Sequence, residues 1–206
     1  MYKAMKAKKP IYAVDSENGM NYLVKKFEDE KVPLEVARTR AFTDLISAID
    51  QAEKESAILI IDSVTHFWNE IQESYKREHK RTQLRLQDWM PLKQAWSQFP
   101  NKYLNSSLHI IMCGRAGDDY EYQQNDDTGK MEVYKSGTKL LAEKNLGFEP
   151  GLVVEMEKIA VGQFRKGERN LANRAHILKD RFDVLDGRSY DNPTYETFLP
   201  HIERLN

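Results

Sequence analysis

Apolar and polar positions along the chain follow two rhythms, and the sharpest boundary between them falls at Ala57–Ser63. There Ala-Ile-Leu-Ile-Ile is closed by Asp62 and Ser63. The run Val64–Tyr75 follows, with Val64, Phe67, Trp68, Ile71 and Tyr75 on one helical face. A continuous apolar run that ends in an acid is how a strand buried on both faces delivers a carboxylate to the rim of a parallel sheet. Ile11–Val14 repeats the pattern and ends in Asp15-Ser16-Glu17-Asn18-Gly19, and Leu108–Cys113 repeats it again before Gly114-Arg115.

Between these runs the spacing is helical. Met20, Leu23, Val24 and Phe27 predict a helix over 20–31, stopped by Pro33. Leu34–Phe42 predicts an edge strand, and Thr43-Asp44 a cap for a helix reaching Glu55 with Leu45, Ile46 and Ile49 inward. Asp88–Tyr103 carries Trp89, Leu92, Trp96 and Phe99 at helical spacing. Tyr120–Gln123 and Met131–Tyr134, joined across 125–130, predict a solvent-facing hairpin, and Thr138–Leu146 a short helix. Gly151–Ile159 and Ala172–Phe182 predict antiparallel neighbours joined by a polar turn over Gly162–Asn170. Asn192 is placed to cap a final helix with Pro193 at its first position. The strand–helix alternation predicts an α/β fold, a mostly parallel central sheet flanked by helices with a C-terminal antiparallel extension. With no repeat or low-complexity linker, its 206 residues are most economically one domain.

Composition narrows the function classes. The net charge of −1 gives no global electrostatic case for nucleic acid, so any such surface must be local. A single cysteine, Cys113, excludes an internal disulfide and fits a reducing cytoplasm; its apolar setting predicts a buried, inert thiol. No apolar stretch approaches the ~20 residues that span a bilayer, which predicts a cytoplasmic protein without a membrane partner. Lys76, Arg77, His79, Lys80, Arg81 and Arg85 form the dense basic cluster. With Trp89 they are candidates for single-stranded DNA binding through phosphate contacts and base stacking, or else a solvated helix end diluted by Glu73, Glu78 and Asp88.

Carbonyl-end residues of parallel strands converge on one crevice, where α/β proteins bind ligands. Asp15, Glu17, Asp62, Ser63 and Arg115 stand at such ends. Singly, each acid also suits a helix cap, and Arg115 a surface pair with Asp118. Three carboxylates, Asp15, Glu17 and Asp62, also supply what a magnesium-dependent nuclease requires.

Taken in order, these motifs resemble the RecA-like P-loop NTPases that phages encode, often beside single-strand-annealing recombination proteins. Y-A-V-D-S-E-N-G at Tyr12–Gly19 is similar to the family's Asp-x-Glu strand, L-I-I-D-S-V at Leu59–Val64 to its Walker B strand, C-G-R-A at Cys113–Ala116 to its sensor strand, and K-D-R-F-D-V-L-D-G at Lys179–Gly187 to a late-strand motif. The resemblance runs from about Ile11 to His201. It implies ATP and Mg2+ as cofactors, Asp62 as the metal-binding acid, Glu17 polarising the attacking water, Arg115 as γ-phosphate sensor, and Asp15 and Ser63 lining the cofactor. It also implies a homo-oligomer in which Lys179 and Arg181 reach a neighbour's nucleotide, with Lys135, Lys139 and Lys144 as weaker candidates for that surface. Partners on this view are single-stranded DNA or a recombination or annealing protein.

One part departs from the family. A P-loop is Gly-x-x-x-x-Gly-Lys-Ser/Thr, whose amides and lysine hold the phosphates. That sequence does not occur here; Ser136-Gly137-Thr138-Lys139 has the letters in another order. The expectation is a RecA-like domain lacking its first β-loop-α unit, hydrolysis-deficient by itself and carrying an exposed apolar patch where that unit would pack. The alternative is a non-catalytic assembly or DNA-binding module on the same scaffold.

Overall fold

The computed structural model describes residues 9–56, 58–126, 128–161 and 171–205. The described residues fall into two compact units, Met1–Leu146 and Gly147–Asn206. The polar turn expected over Gly162–Asn170 and the basic start of the chain lie outside the described residues.

The first unit is built on four parallel strands in the order β2-β1-β3-β4: β1 Ile11–Asp15, β2 Leu34–Arg38, β3 Ile58–Asp62 and β4 His109–Met112. Crossovers supply α1 Val24–Asp29, α2 Phe42–Glu55, α3 Val64–Glu78, α4 Trp89–Trp96 and α5 Gln98–Leu104. Side chains alternate across the sheet, as strand geometry requires. Tyr12, Val14, Leu59 and Ile61 face a core with Leu45, Ile49, Phe67, Trp96 and Phe99, drawn from α2, α3, α4 and α5. Ile11 and Ile58 face the other way, onto Phe27 and Val32. That second layer thins toward β4, where Ile111 is 53% exposed. β2 is an edge strand as its alternation predicts; β4 closes the opposite edge with β3 as its one strand neighbour among the described residues.

Three helical predictions change. The expected 20–31 helix is a 3-10 turn at Gly19–Tyr22 followed by α1. The 88–103 pattern is two helices, α4 and α5, meeting at Ser97. The helix expected at Thr138–Leu146 does not form: Thr138–Leu140 end a strand, β6 Met131–Leu140, which pairs with β5 Ala116–Gln124, and bends and turns follow up to a 3-10 turn at Leu146–Phe148, so the hairpin is longer than its tyrosine-rich tip. Cross-strand partners explain the override. Lys139 meets Asp119 at 2.8 Å and Lys135 meets Asp118 at 2.6 Å, contacts a helix would forgo.

In the second unit, β7 Leu152–Ala160, β8 Leu171–Asp180 and β9 Ser189–Asp191 form an antiparallel sheet beside α6 Tyr195–Ile202. Asn192 does not cap α6. It sits at φ 50° and its side chain accepts from the Asn173 N–H at 3.1 Å, while Thr194 takes the cap position. Asp180, 7% exposed, organises the loop after β8. It accepts the N–H groups of Phe182 (2.9 Å), Val184 (3.1 Å) and Leu185 (2.8 Å), and meets His201 Nδ1 at 2.6 Å. Burial pushes its carboxyl pKa up, but the Phe182 amide, His201 and the Leu185 amide outweigh that and hold it below the ordinary 3.8. A depressed carboxyl contributes stability above its unfolded value and loses it as pH falls through the folded one. Asp180→Ala should therefore cost about 3 kcal/mol at neutral pH, from stranded amides, and the deficit should shrink in acid. Urea unfolding at pH 7 and pH 3 checks both.

Candidate functional site

Parallel register sets Asp15 directly opposite Asp62, so β1 and β3 reach the rim together. The loop after β1 is then folded by Asp15 itself. Its Oδ1 accepts the N–H groups of Glu17 (3.0 Å) and Gly19 (3.2 Å), and its Oδ2 that of Met20 (2.9 Å). Burial pushes this carboxyl up, but the amides of Met20, Glu17 and Gly19 win and hold it below the ordinary carboxylate range. At 1% exposure and with both oxygens accepting backbone N–H groups, Asp15 is committed first to shaping the loop.

Ser16 stitches the two strand ends. Its N–H donates to the Asp62 carbonyl at 2.6 Å, and its hydroxyl accepts the Ser63 N–H at 2.8 Å. Glu17 is thereby turned outward. Its Oε1 lies 3.0 Å from Arg115 Nη2, 3.2 Å from Arg115 Nε and 3.4 Å from His66 Nε2. Arg115 thus pairs with Glu17, not Asp118, and its N–H is fixed by Thr65 Oγ1 at 3.0 Å. Just before it, a Cβ on Gly114 would stand 2.3 Å from Leu140 Cδ1, so a larger residue there would push that side chain aside.

Asp62 is different from its neighbours. Its half-buried carboxylate makes no hydrogen bond among the described residues. Desolvation, followed by the charges of Glu17 and Asp15, pushes its pKa up. Beside it, the Ser63 hydroxyl is buried without a partner among the described residues. Buried polar atoms are rarely left so. An unpartnered carboxylate next to an orphaned hydroxyl is the donor set that a hydrated Mg2+ takes through one acid and water, sharing the rest of its shell with phosphate. Among the described residues no cluster of three or more His, Cys, Asp or Glu is placed to hold a metal alone.

The structure thus brings Asp62, Ser63, Glu17 and Arg115 to one rim and adds Ser16 and His66, which sequence reasoning missed. Ser16 lay unread between two acids. His66 stands in the first turn of α3, a polar residue beside the apolar stripe, and that was its signal. In the second unit Lys179 lies in β8 and Arg181 in the turn just past its end, and both donate to the same Phe148 carbonyl, at 2.6 and 3.2 Å. Desolvation, then the Arg181 charge, depresses the Lys179 pKa.

The basic cluster is largely neutralised from within. Lys76 meets Glu73 at 2.6 Å, Arg77 meets Glu70, and Arg81 meets buried Asp88. Lys80 makes no ion pair among the described residues, at φ 51° past the helix end. Trp89 tilts against Trp68 with ring centroids 6.5 Å apart. Cys113 is exposed, not buried as its apolar run predicts, because it stands just past the end of an edge strand. Partial desolvation, with the charges of Asp62 and Glu17, pushes its thiol pKa up.

Residues 2–182 match the family model of the AAA domain, and the chain belongs to that family. Its class is the AAA-type, P-loop NTPase superfamily, whose members generally bind nucleotide with Mg2+. No curated protein matches the chain. Among the described residues no helix is long and apolar enough to cross a membrane.

The Arg81–Asp88 contact yields a prediction. Arg81 holds the Asp88 carboxyl below its ordinary 3.8, so its stabilising effect is present above that value and fades as pH falls below it. Arg81→Ala should lower the urea midpoint at pH 7 far more than Lys80→Ala, and the difference should narrow at pH 3. Reversing charge at Lys80 and Arg81 should leave the salt slope of single-stranded DNA binding unchanged.

Proposed function

We propose that this rim is the magnesium and water side of an ATP site of the RecA-like kind used in phage DNA recombination. The observation that carries it is the unpartnered Asp62 carboxylate beside the orphaned Ser63 hydroxyl, with Glu17 alongside. Asp62 and Ser63 would hold a hydrated Mg2+, which supplies charge neutralisation at the phosphates. Glu17 polarises water, and Arg115, already beside it, offers its guanidinium to a γ-phosphate oxygen. Lys179 and Arg181, sharing a single carbonyl oxygen, have the charge and convergence to engage a neighbouring subunit's phosphates in a homo-oligomer. The partners on this reading are single-stranded DNA or an annealing protein.

With no Gly-x-x-x-x-Gly-Lys-Ser/Thr in the sequence, the amide cradle for the phosphates is absent from the chain. Nucleotide binding is then weak and turnover negligible by this polypeptide alone. A fluorescent ATP analogue should bind in a Mg2+-dependent manner that Asp62→Asn weakens by about tenfold or more, with hydrolysis no faster than in Glu17→Gln. Binding indifferent to both Mg2+ and Asp62 contradicts the site. Turnover that Glu17→Gln abolishes contradicts the inertness.

A further inference from the structure

The Ser16–His66 pair has no part in the reading above, yet it touches Glu17. Ser16 Oγ lies 2.9 Å from His66 Nδ1, and His66 Nε2 lies 3.4 Å from Glu17 Oε1. We propose that His66 is a positioning residue for Glu17 and that Ser16 sets the tautomer in which it acts. The proposal rests on Glu17 being the water-polarising carboxylate.

Proton counting supports it. The Ser16 oxygen already accepts the Ser63 N–H, so its single hydroxyl proton is the one it has to give. Two acceptors are in reach, the Asp62 carbonyl at 3.1 Å and His66 Nδ1 at 2.9 Å. The Asp62 carbonyl is supplied independently by the Ser16 backbone N–H at 2.6 Å. The hydroxyl proton is therefore free for the imidazole. A ring that accepts at Nδ1 carries its own proton on Nε2, the nitrogen facing Glu17. The opposite tautomer would aim a lone pair at a carboxylate.

The same geometry sorts the two oxygens of Glu17. Arg115 and His66 both converge on Oε1. Oε2 has no partner among the described residues, and it is the atom left to accept a hydrogen bond from water. The ring is mostly enclosed, its side chain 13% exposed against 31% for Glu17, so it is the fixed member of the pair. Arg115 is 57% exposed. If an anion draws Arg115 away, His66 is what remains to keep Oε1 in place.

Ring 15N–1H correlation spectra of the full chain at pH 8 test this without nucleotide or turnover, so failure here is separable from failure of the ATP-site reading. Wild type should show His66 as a single Nε2–H tautomer. Ser16→Ala should release it to a mixture of both tautomers. Glu17→Ala should sharpen exchange of the Nε2 proton with water, whereas Arg115→Ala should leave it protected. An Nδ1–H tautomer in wild type overturns the proposal whatever the variants do. So does a ring proton whose exchange is indifferent to Glu17.

Discussion

The parallel pairing of β1 with β3, in the register that sets Asp15 opposite Asp62, is the constraint on which the site depends. Side chains on a strand have a period of two, so a slip of one residue would carry Val14 and Ile61 off the core and swing both acids away from the rim. The register is fixed from two directions. Alternating apolar faces specify it along the strands, and Ser16 specifies it at their ends with a donor to the Asp62 carbonyl and an acceptor for the Ser63 N–H. Fold and site are therefore the same decision, made by neighbouring residues.

From that register the labour divides among three carboxylates of similar intrinsic chemistry. Asp15 is satisfied by backbone amides and shapes the loop. Glu17 is turned outward and shared by Arg115 and His66. Asp62 has no hydrogen-bond partner among the described residues, its ionised form disfavoured by burial and by its acidic neighbours. On the proposed reading, a bound cation would relieve that electrostatic cost. The environment, not the residue type, separates a carboxylate that shapes its own loop from one held in ion pairs and one that faces the rim unpaired.

Much of this was legible beforehand, and the failures have physical causes. The apolar runs ending in Asp62 and Asp15 announced buried parallel strands because a rim acid breaks an otherwise uniform pattern. The job of Asp15 was not legible, since a carboxylate that caps its own loop and one that faces a ligand look alike in one dimension. The Lys139 stretch has helical spacing in one dimension, but its ion-pair partner Asp119 lies twenty residues earlier, on the strand it pairs with. Arg81 looked like a phosphate contact until buried Asp88 claimed it. Cys113 looked buried because apolar runs normally are, and only the strand order puts it on an open edge. Ser16 and His66 matter through a contact fifty residues apart in sequence, which no local motif encodes.

The claim that Asp62 and Ser63 form the metal-facing rim is tested most directly by substituting Mn2+ for Mg2+ and recording paramagnetic broadening of the backbone amide spectrum with ATP present. The account predicts broadening centred on the amides of Ser63, Val64 and Gly19, lost in Asp62→Asn. Broadening centred instead on the acidic β5–β6 hairpin, or unchanged by Asp62→Asn, would contradict it.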